Sequence, residues 1–378
     1  MPRVIVAPAP ALPLLAERWR AMERRAETSF FQSWTWVGCL AEERYRDALL
    51  LSVQQDGVDL ALALFGRRRS RLAPNTLWLT ETGDPGFDAM FVEHNGIICA
   101  RGHETLREAC LVALLGGEGE VAGTALPSPR FHPPGLRLVL SGVDDETRDI
   151  AAQVARARQA VLRVLRTEPA PYVDFTRIGT APDGFEAHLS AGTRYQLRRS
   201  TRRYGEIGPV TIRRAATVAE AHAVLDELAR LHQATWTARG KPGAFANPRF
   251  RHFHRALIET GLPRGEIDLL RITAGERLIG CLYNFCHDNR VMTYQSGFDY
   301  ETSHPHQKPG LTAHHLAIEM YRAEGRLSYD FLAGEDRYKT SLANAAHRLH
   351  WIDLVPGRSL RGRLIRLRAG LLNSDQIS

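Results

Sequence analysis

Gln307-Lys308-Pro309-Gly310-Leu311-Thr312 opens a helical pattern that runs to residue 323, and the apolar run before it, 290–298, reads as a strand. A strand, a turn and a helix start in that order leave the first N–H groups of the helix without acceptors. Those groups point at one spot, where the helix dipole favours an anion. Gly310 permits close approach of a ligand, and Lys308 adds a point charge. The plainer alternative is a Pro-Gly turn before a helix and nothing more.

Outward from this stretch, 267–273, 278–287 and 290–298 predict three antiparallel strands. Ala274-Gly275 and Asp288-Asn289 join them with hairpin turn chemistry. Helices are expected at 219–239 and 249–260, a basic helical region broken at Gly192 over 185–204, and strands at 172–175, 210–213, 326–332 and 350–355. Nearer the N-terminus, 14–27, 30–45 and 104–115 predict helices, and 48–53, 58–65, 76–80, 120–125 and 136–140 strands. Residues 149–164 read as a short helix or a strand-bearing linker. Helices and strands alternate twice in similar order, so we expect two α/β halves, 1–165 and 166–378.

A chain of 378 residues suits two domains. With 44% hydrophobic and 24% charged residues, disorder, a collagen-like repeat and a disulfide scaffold are excluded. No charge-free stretch is long enough to span a bilayer. The apolar start carries Pro8, Pro10 and Pro13 and makes a poor leader peptide. The five cysteines form neither a disulfide framework nor a zinc pattern, so a reducing cytoplasm and no metal are expected. The net charge of +7 favours anionic partners. Lys241, Lys308 and Lys339 are the only lysines beside 46 arginines, so each marks a place where a compact ammonium could matter.

Three further features invite a chemical reading. Asp330 lies in the apolar run Tyr329-Asp330-Phe331-Leu332, ahead of Gly334, Tyr338 and Lys339. A carboxylate there is either a hydrogen-bonded turn holder or a working group beyond a strand end. Residues 194–204 hold five arginines and two tyrosines, which suits phosphate ligands, RNA or acidic peptides, or else a solvated face. His304, His306, His314 and His315 crowd the loop, and one of them could act as a general base. Cys281 and Cys286 point to opposite faces of a strand. In the tail, Leu360, Leu364, Leu367 and Leu371 form a stripe among arginines that either caps the chain's own core or rests on an anionic membrane.

Taken together, these motifs resemble the CelD-type (BioF-like) acetyltransferases, a branch of the GNAT superfamily related to the FemAB peptidyltransferases. The resemblance rests on the basic helix at 189–204, on Tyr294-Gln295-Ser296-Gly297-Phe298, on Pro309-Gly310 and on the segment from Asp330 to Lys339. It covers roughly 174–343. Thr312 departs from the Gly or Ala that ends the coenzyme A loop of that superfamily. The resemblance implies an α/β fold of two tandem GNAT-like domains with mixed, largely antiparallel sheets flanked by helices. It implies an N-acyltransferase moving an acetyl or longer acyl group from acyl-CoA to an amine of a peptide, amino sugar or small molecule. Gln307, Lys308, Gly310, Leu311, Thr312 and Gln295 would hold the donor. Asp330, Tyr338, Lys339 and His315 would act in catalysis, and Arg198, Arg199, Trp236 and Tyr294 would meet the acceptor. The alternatives are a FemAB-like transferase using aminoacyl-tRNA, and an inactive binding module of a polysaccharide biosynthesis system.

Overall fold

A computed structural model describes residues 1–44, 48–68, 75–116, 120–121, 123–125, 136–178, 184–359 and 361–365. The chain forms two units: Met1–Thr167 together with Arg348–Ser378, and Glu168–His347.

The first unit contains β1 (Arg3–Pro8), α1 (Leu12–Glu23), α2 (Trp34–Arg44), β2 (Leu49–Gln55), β3 (Val58–Arg68) and β4 (Thr76–Leu79). These are followed by β5 (Ile98–Cys99), α3 (Leu106–Leu114), β6 (Glu120–Val121), β7 (Thr124–Ala125), β8 (Arg137–Val143), α4 (Asp145–Ala157) and most of β9 (Ala160–Asp174). Strands β1 to β4 pair antiparallel in sequence, and β4 then pairs parallel with β8. The β2–β3 turn places Asp56 and Gly57 at φ +52° and +78°, the backbone a two-residue hairpin demands.

The second unit contains the end of β9, α5 (Ala191–Gly205), β10 (Val210–Arg214), α6 (Val218–Ala238), α7 (Pro248–Gly261), β11 (Ile267–Ala274), β12 (Arg277–His287) and β13 (Arg290–Phe298). It closes with α8 (Pro309–Ala323), β14 (Ser328–Asp330), α9 (Arg337–Leu342) and the first residues of β15 (Ala345–Pro356). The connectivity of the first unit recurs: β10 to β13 pair antiparallel, β13 pairs parallel with β14, and β14 pairs antiparallel with β9. Helix α6 starts at Thr217, whose side chain accepts from the Glu220 amide, and buries Ala221, Val224, Leu225 and Leu228. It lies so close to β13 that a Cβ on Gly297 would stand 2.4 Å from the Leu228 carbonyl oxygen. Buried Leu270, Leu282, Val291, Ile318, Tyr321 and Tyr329 knit this core together.

Several sequence expectations are corrected. The division near 165 falls between Thr167 and Glu168, but 348–378 belong to the first unit. The reason is pairing: β15 runs antiparallel to β8, and Ile352 and Leu354 enter the first core. The N-terminal stretch, assigned no element from the sequence, forms β1, which pairs with β2 along its length. Residues 149–164 divide between α4, capped by Asp144, and the long strand β9. The basic helix starts at Ala191 with Ser190 as its cap, so Gly192 lies in its first turn and breaks nothing. Of the tail stripe, Leu360, Leu367 and Leu371 lie outside the described residues, and Leu364 is exposed.

Candidate functional site

The site begins with two parallel strands that part. Strands β13 and β14 pair only through Arg290↔Ser328, Val291↔Tyr329 and Met292↔Asp330. Past Asp330 the chain follows β9 instead, with Phe331 N donating to Pro171 O and Gly334 N to Pro169 O, both at 3.0 Å. Strand β13 continues through Phe298 with no strand on that side among the described residues. It also bulges: Asn284 faces Thr293 and Tyr283 faces Gln295, which leaves Tyr294 as the extra residue. An open strand edge inside a domain offers backbone donors and acceptors to an extended amide-bearing ligand.

The departure of β14 is held by two of the predicted residues. Leu332 adopts φ +59°, rare for a branched side chain. Asp330 Oδ1 accepts from the Leu332 amide at 2.7 Å. Lys339 Nζ donates to Leu332 O at 3.3 Å and Ala333 O at 2.7 Å, and the side chain is buried. Lys339 thus supports the turn. Tyr338 is half-buried over the same place, and burial raises its phenol far above the usual range.

The predicted loop lies at the other end of β13. Ser200 of α5, fully buried, accepts from the Lys308 amide at 2.8 Å and bonds the Thr312 hydroxyl at 2.8 Å. Gln307 is buried and accepts from the His304 amide, so its side chain shapes the loop. The amides of Gly310 and Leu311 donate to no acceptor among the described residues. A Cβ on Gly310 would meet Phe298 at 3.2 Å and the Tyr300 hydroxyl at 3.4 Å, so this glycine serves packing as well as approach. Loss of solvent lowers the pKa of His306, and so do the nearby cations Arg199, His304, Arg203 and Lys308.

The two adjacent histidines of α8 separate, as neighbours about 100° apart on a helix must. His314 is fully buried, stacks on Tyr338 (5.1 Å, 11°) and lies 5.4 Å from Phe331 and 5.7 Å from Phe298, ring centre to ring centre. Burial, reinforced by Lys339, pushes its pKa down to about 3. His315, the predicted catalytic histidine, faces away from that group. Its Nε2 lies 3.6 Å from Glu186 in a pocket of about 610 Å³ that Arg194, Arg198, Glu319 and Arg322 also line. The structure therefore brings Asp330, Tyr338 and Lys339 together and leaves His315 out. His314, one of the four histidines that crowd the loop, shares one buried stripe with Leu311, Ile318 and Tyr321.

The expected acceptor residues scatter. Arg198 pairs with Glu186 at 2.9 Å, while Arg199 lies over Tyr195. Tyr294 is buried among Phe250, His254 and Phe285, which makes it a core ring. Trp236 sits half-buried on α6 beside His232, Arg239 and Lys241. Gln295 is half-buried, just past the bulge of β13.

Two strands that part, a bulge on the longer one and a helix start at its far end define a recognisable layout. Residues 191–340 match the family model of the acetyltransferase (GNAT) domain. The second unit carries a GNAT domain. The protein is accordingly an N-acyltransferase in the general sense, and GNAT domains as a family take acyl-CoA donors and amine acceptors. The fold extends beyond the matched residues. FemX is 10% identical with a TM-score of 0.60, covering 93% of this chain and 98% of that one. A conserved protein of unknown function from Bacteroides thetaiotaomicron is 10% identical with a TM-score of 0.56, covering 93% and 100%. L-PGS from Bacillus licheniformis is 9% identical with a TM-score of 0.50, covering 92% and 94%. At such identities the likeness is one of fold, and it spans both units. No curated protein matches the chain by sequence. Among the described residues no helix is long and apolar enough to cross a membrane, and no cluster of His, Cys, Asp or Glu could hold a metal ion.

Proposed function

We propose that the chain moves an acyl group, acetyl or longer, from acyl-CoA to an amine of a peptide, an amino sugar or a small molecule. The observation that carries this is the open edge of β13 with the cation-flanked start of α8 at its end. Coenzyme A supplies a complement to each: a diphosphate for the free amides, Lys308 and Arg199, and an amide-bearing arm for the strand edge. The acceptor amine, with an ordinary pKa near ~10.4, must be uncharged to attack. Its lone pair adds to the thioester carbon, the C–S bond breaks and the sulfur leaves as a thiolate. Asp330 is the carboxylate we assign to take the proton the amine sheds. Tyr338, kept protonated by its raised pKa, donates to the sulfur. Solvent returns the proton from Asp330 to Tyr338. Orientation and proton transfer suffice, and no covalent enzyme intermediate is needed.

Within the superfamily we assign the chain to the CelD-type (BioF-like) branch, acting in the cytoplasm. A second reading takes aminoacyl-tRNA as donor. It is favoured by Arg199 and Arg202, which have no carboxylate partner among the described residues, whereas Arg198 and Arg203 pair with Glu186 and Glu206. The test is thiol release from acetyl- and longer acyl-CoA over a panel of amines. Amine-dependent release supports the first reading. Binding of tRNA that weakens steeply with salt, without thiol release, supports the second. Neither result would indicate an inactive binding module.

A further inference from the structure

Beneath α8, buried polar side chains form a file through the core of the second unit. It begins with Asp268, whose Oδ1 pairs with Arg214 at 3.0 Å. A carboxylate in an ion pair only accepts, so the Tyr321 hydroxyl donates to Asp268 Oδ2 at 2.8 Å. The Tyr321 oxygen in turn accepts from Asn284 Nδ2 at 3.1 Å. Burial raises the pKa of the Tyr329 phenol, and Thr293 and Asn284 oppose the rise. Asn284 Oδ1 has no hydrogen-bond partner among the described residues. The Tyr329 hydroxyl then stands 3.0 Å from His314 Nδ1. The file ends there, because His314 Nε2 is buried and has no hydrogen-bond partner.

The Asn284 and Tyr321 donors point toward Asp268, and the Tyr329 hydroxyl has His314 Nδ1 as its hydrogen-bond partner among the described residues. We propose that the file fixes His314 as the Nε2–H tautomer and that this N–H is the hydrogen-bond donor met by the thioester carbonyl oxygen in the gap between β13 and β14. Phe298 ends β13, Phe331 follows β14 and Tyr338 belongs to α9, so the imidazole lies where these three elements converge. The half-buried Tyr338 ring lies flat on the imidazole and has to move for Nε2 to be reached. Its hydroxyl has no hydrogen bond among the described residues to hold it back. Burial and Lys339 keep His314 neutral, so it donates without acting as a base. Aimed at the developing oxyanion from a dry site, one such donor is worth about 10²–10³ in turnover. A buried N–H without an acceptor is costly, which is a reason to expect a ligand for it.

This inference rests on the donor assignment above, and the experiment separates the two. Long-range ¹H–¹⁵N spectra of the full chain labelled in histidine report the tautomer without any turnover. The expected result is Nε2–H for His314 from pH 5 to pH 8, lost or mixed in Tyr329→Phe. A Nδ1–H tautomer in the native chain overturns the proposal. In turnover with an acyl-CoA, His314→Gln should lose about 10²-fold in kcat, with donor Kd within about twofold and the limbs of the pH–rate profile unmoved. Tyr329→Phe, which removes one hydroxyl and keeps the ring, guards against misfolding and should lose about tenfold on the same grounds. Full turnover in both variants, or loss of the acid limb in His314→Gln, where protonation of a general base would show, also overturns it. A native chain inert toward every acyl-CoA defeats the donor assignment and with it the role in transfer, while the spectra still decide the tautomer.

Discussion

The ammonium of Lys339 stands 2.7 Å from the carbonyl oxygen of Ala333, inside the turn that carries the chain away from β13. That contact changes what a substitution there should do. Lys339→Met removes the donor from two carbonyls and should cost about 1–3 kcal/mol of stability. Lys339→Arg places a wider, planar group in a buried slot beside Gly334 and should destabilise too. Urea unfolding checks both; unchanged midpoints would show that the turn does not depend on Lys339.

Ser200 joins α5 to the start of α8 through one oxygen. Ser200→Ala leaves the Lys308 amide without its acceptor and the Thr312 hydroxyl without its partner. A loss of about 1–2 kcal/mol is expected, as for a helix cap. Coenzyme A affinity should fall with it, because Lys308 loses its anchor. Calorimetry combined with thermal unfolding would detect either effect separately.

The antiparallel strands, their hairpin turns and the amphipathic helices were legible because local chemistry dictates them: Asp288-Asn289 needs positive φ, and the α6 stripe needs a core. The place of β15 was not legible. Its pairing with β8 joins residues about 200 positions apart, as His350↔Val143 does, and no local pattern encodes such a choice. Asp330, Tyr338 and Lys339 were identified from one segment because a strand, a sharp turn and a helix keep them together. Polarity alone does not tell His314 from His315, and only the apolar stripe through Leu311, Ile318 and Tyr321 marks the buried one. The file of buried polar side chains from Asp268 to His314 was hidden, since its members come from four separate elements.

In the first unit, Glu81 lies just past β4 and accepts from the Ser141 hydroxyl at 2.5 Å. Burial raises its pKa from 4.5 to about 7; Asp88 adds to the rise, while Ser141 and Arg166 oppose it. The folded protein therefore holds a proton that the unfolded chain releases, and stability falls as pH rises from about 4.5 to about 7. Above that window the penalty reaches about 3 kcal/mol at most. Glu81→Gln should stabilise the protein at pH 8 and make little difference at pH 4. Urea midpoints across that range test it, and a gain that does not vary with pH would refute it.

Arg198 and Arg199 are neighbours on α5 with different surroundings. Arg198 lines the pocket with Glu186 and His315, and Arg199 is among the cations around His306. Arg199→Ala should weaken donor binding severalfold, more at low salt than at high salt. Arg198→Ala should leave donor Kd unchanged. Equal losses in the two variants would place both side chains at one ligand.

The most direct measurement is a calorimetric titration of the full chain with acetyl-CoA, repeated for the double variant Arg199→Glu with Lys308→Glu. Both are surface cations without carboxylate partners among the described residues, so the fold should survive their reversal, and the melting temperature checks this. The donor assignment predicts one site per chain in the native protein and more than about tenfold weaker binding in the variant, as a repulsion worth at least ~1.4 kcal/mol requires. Binding of equal strength in both proteins, or none in the native chain, would contradict it.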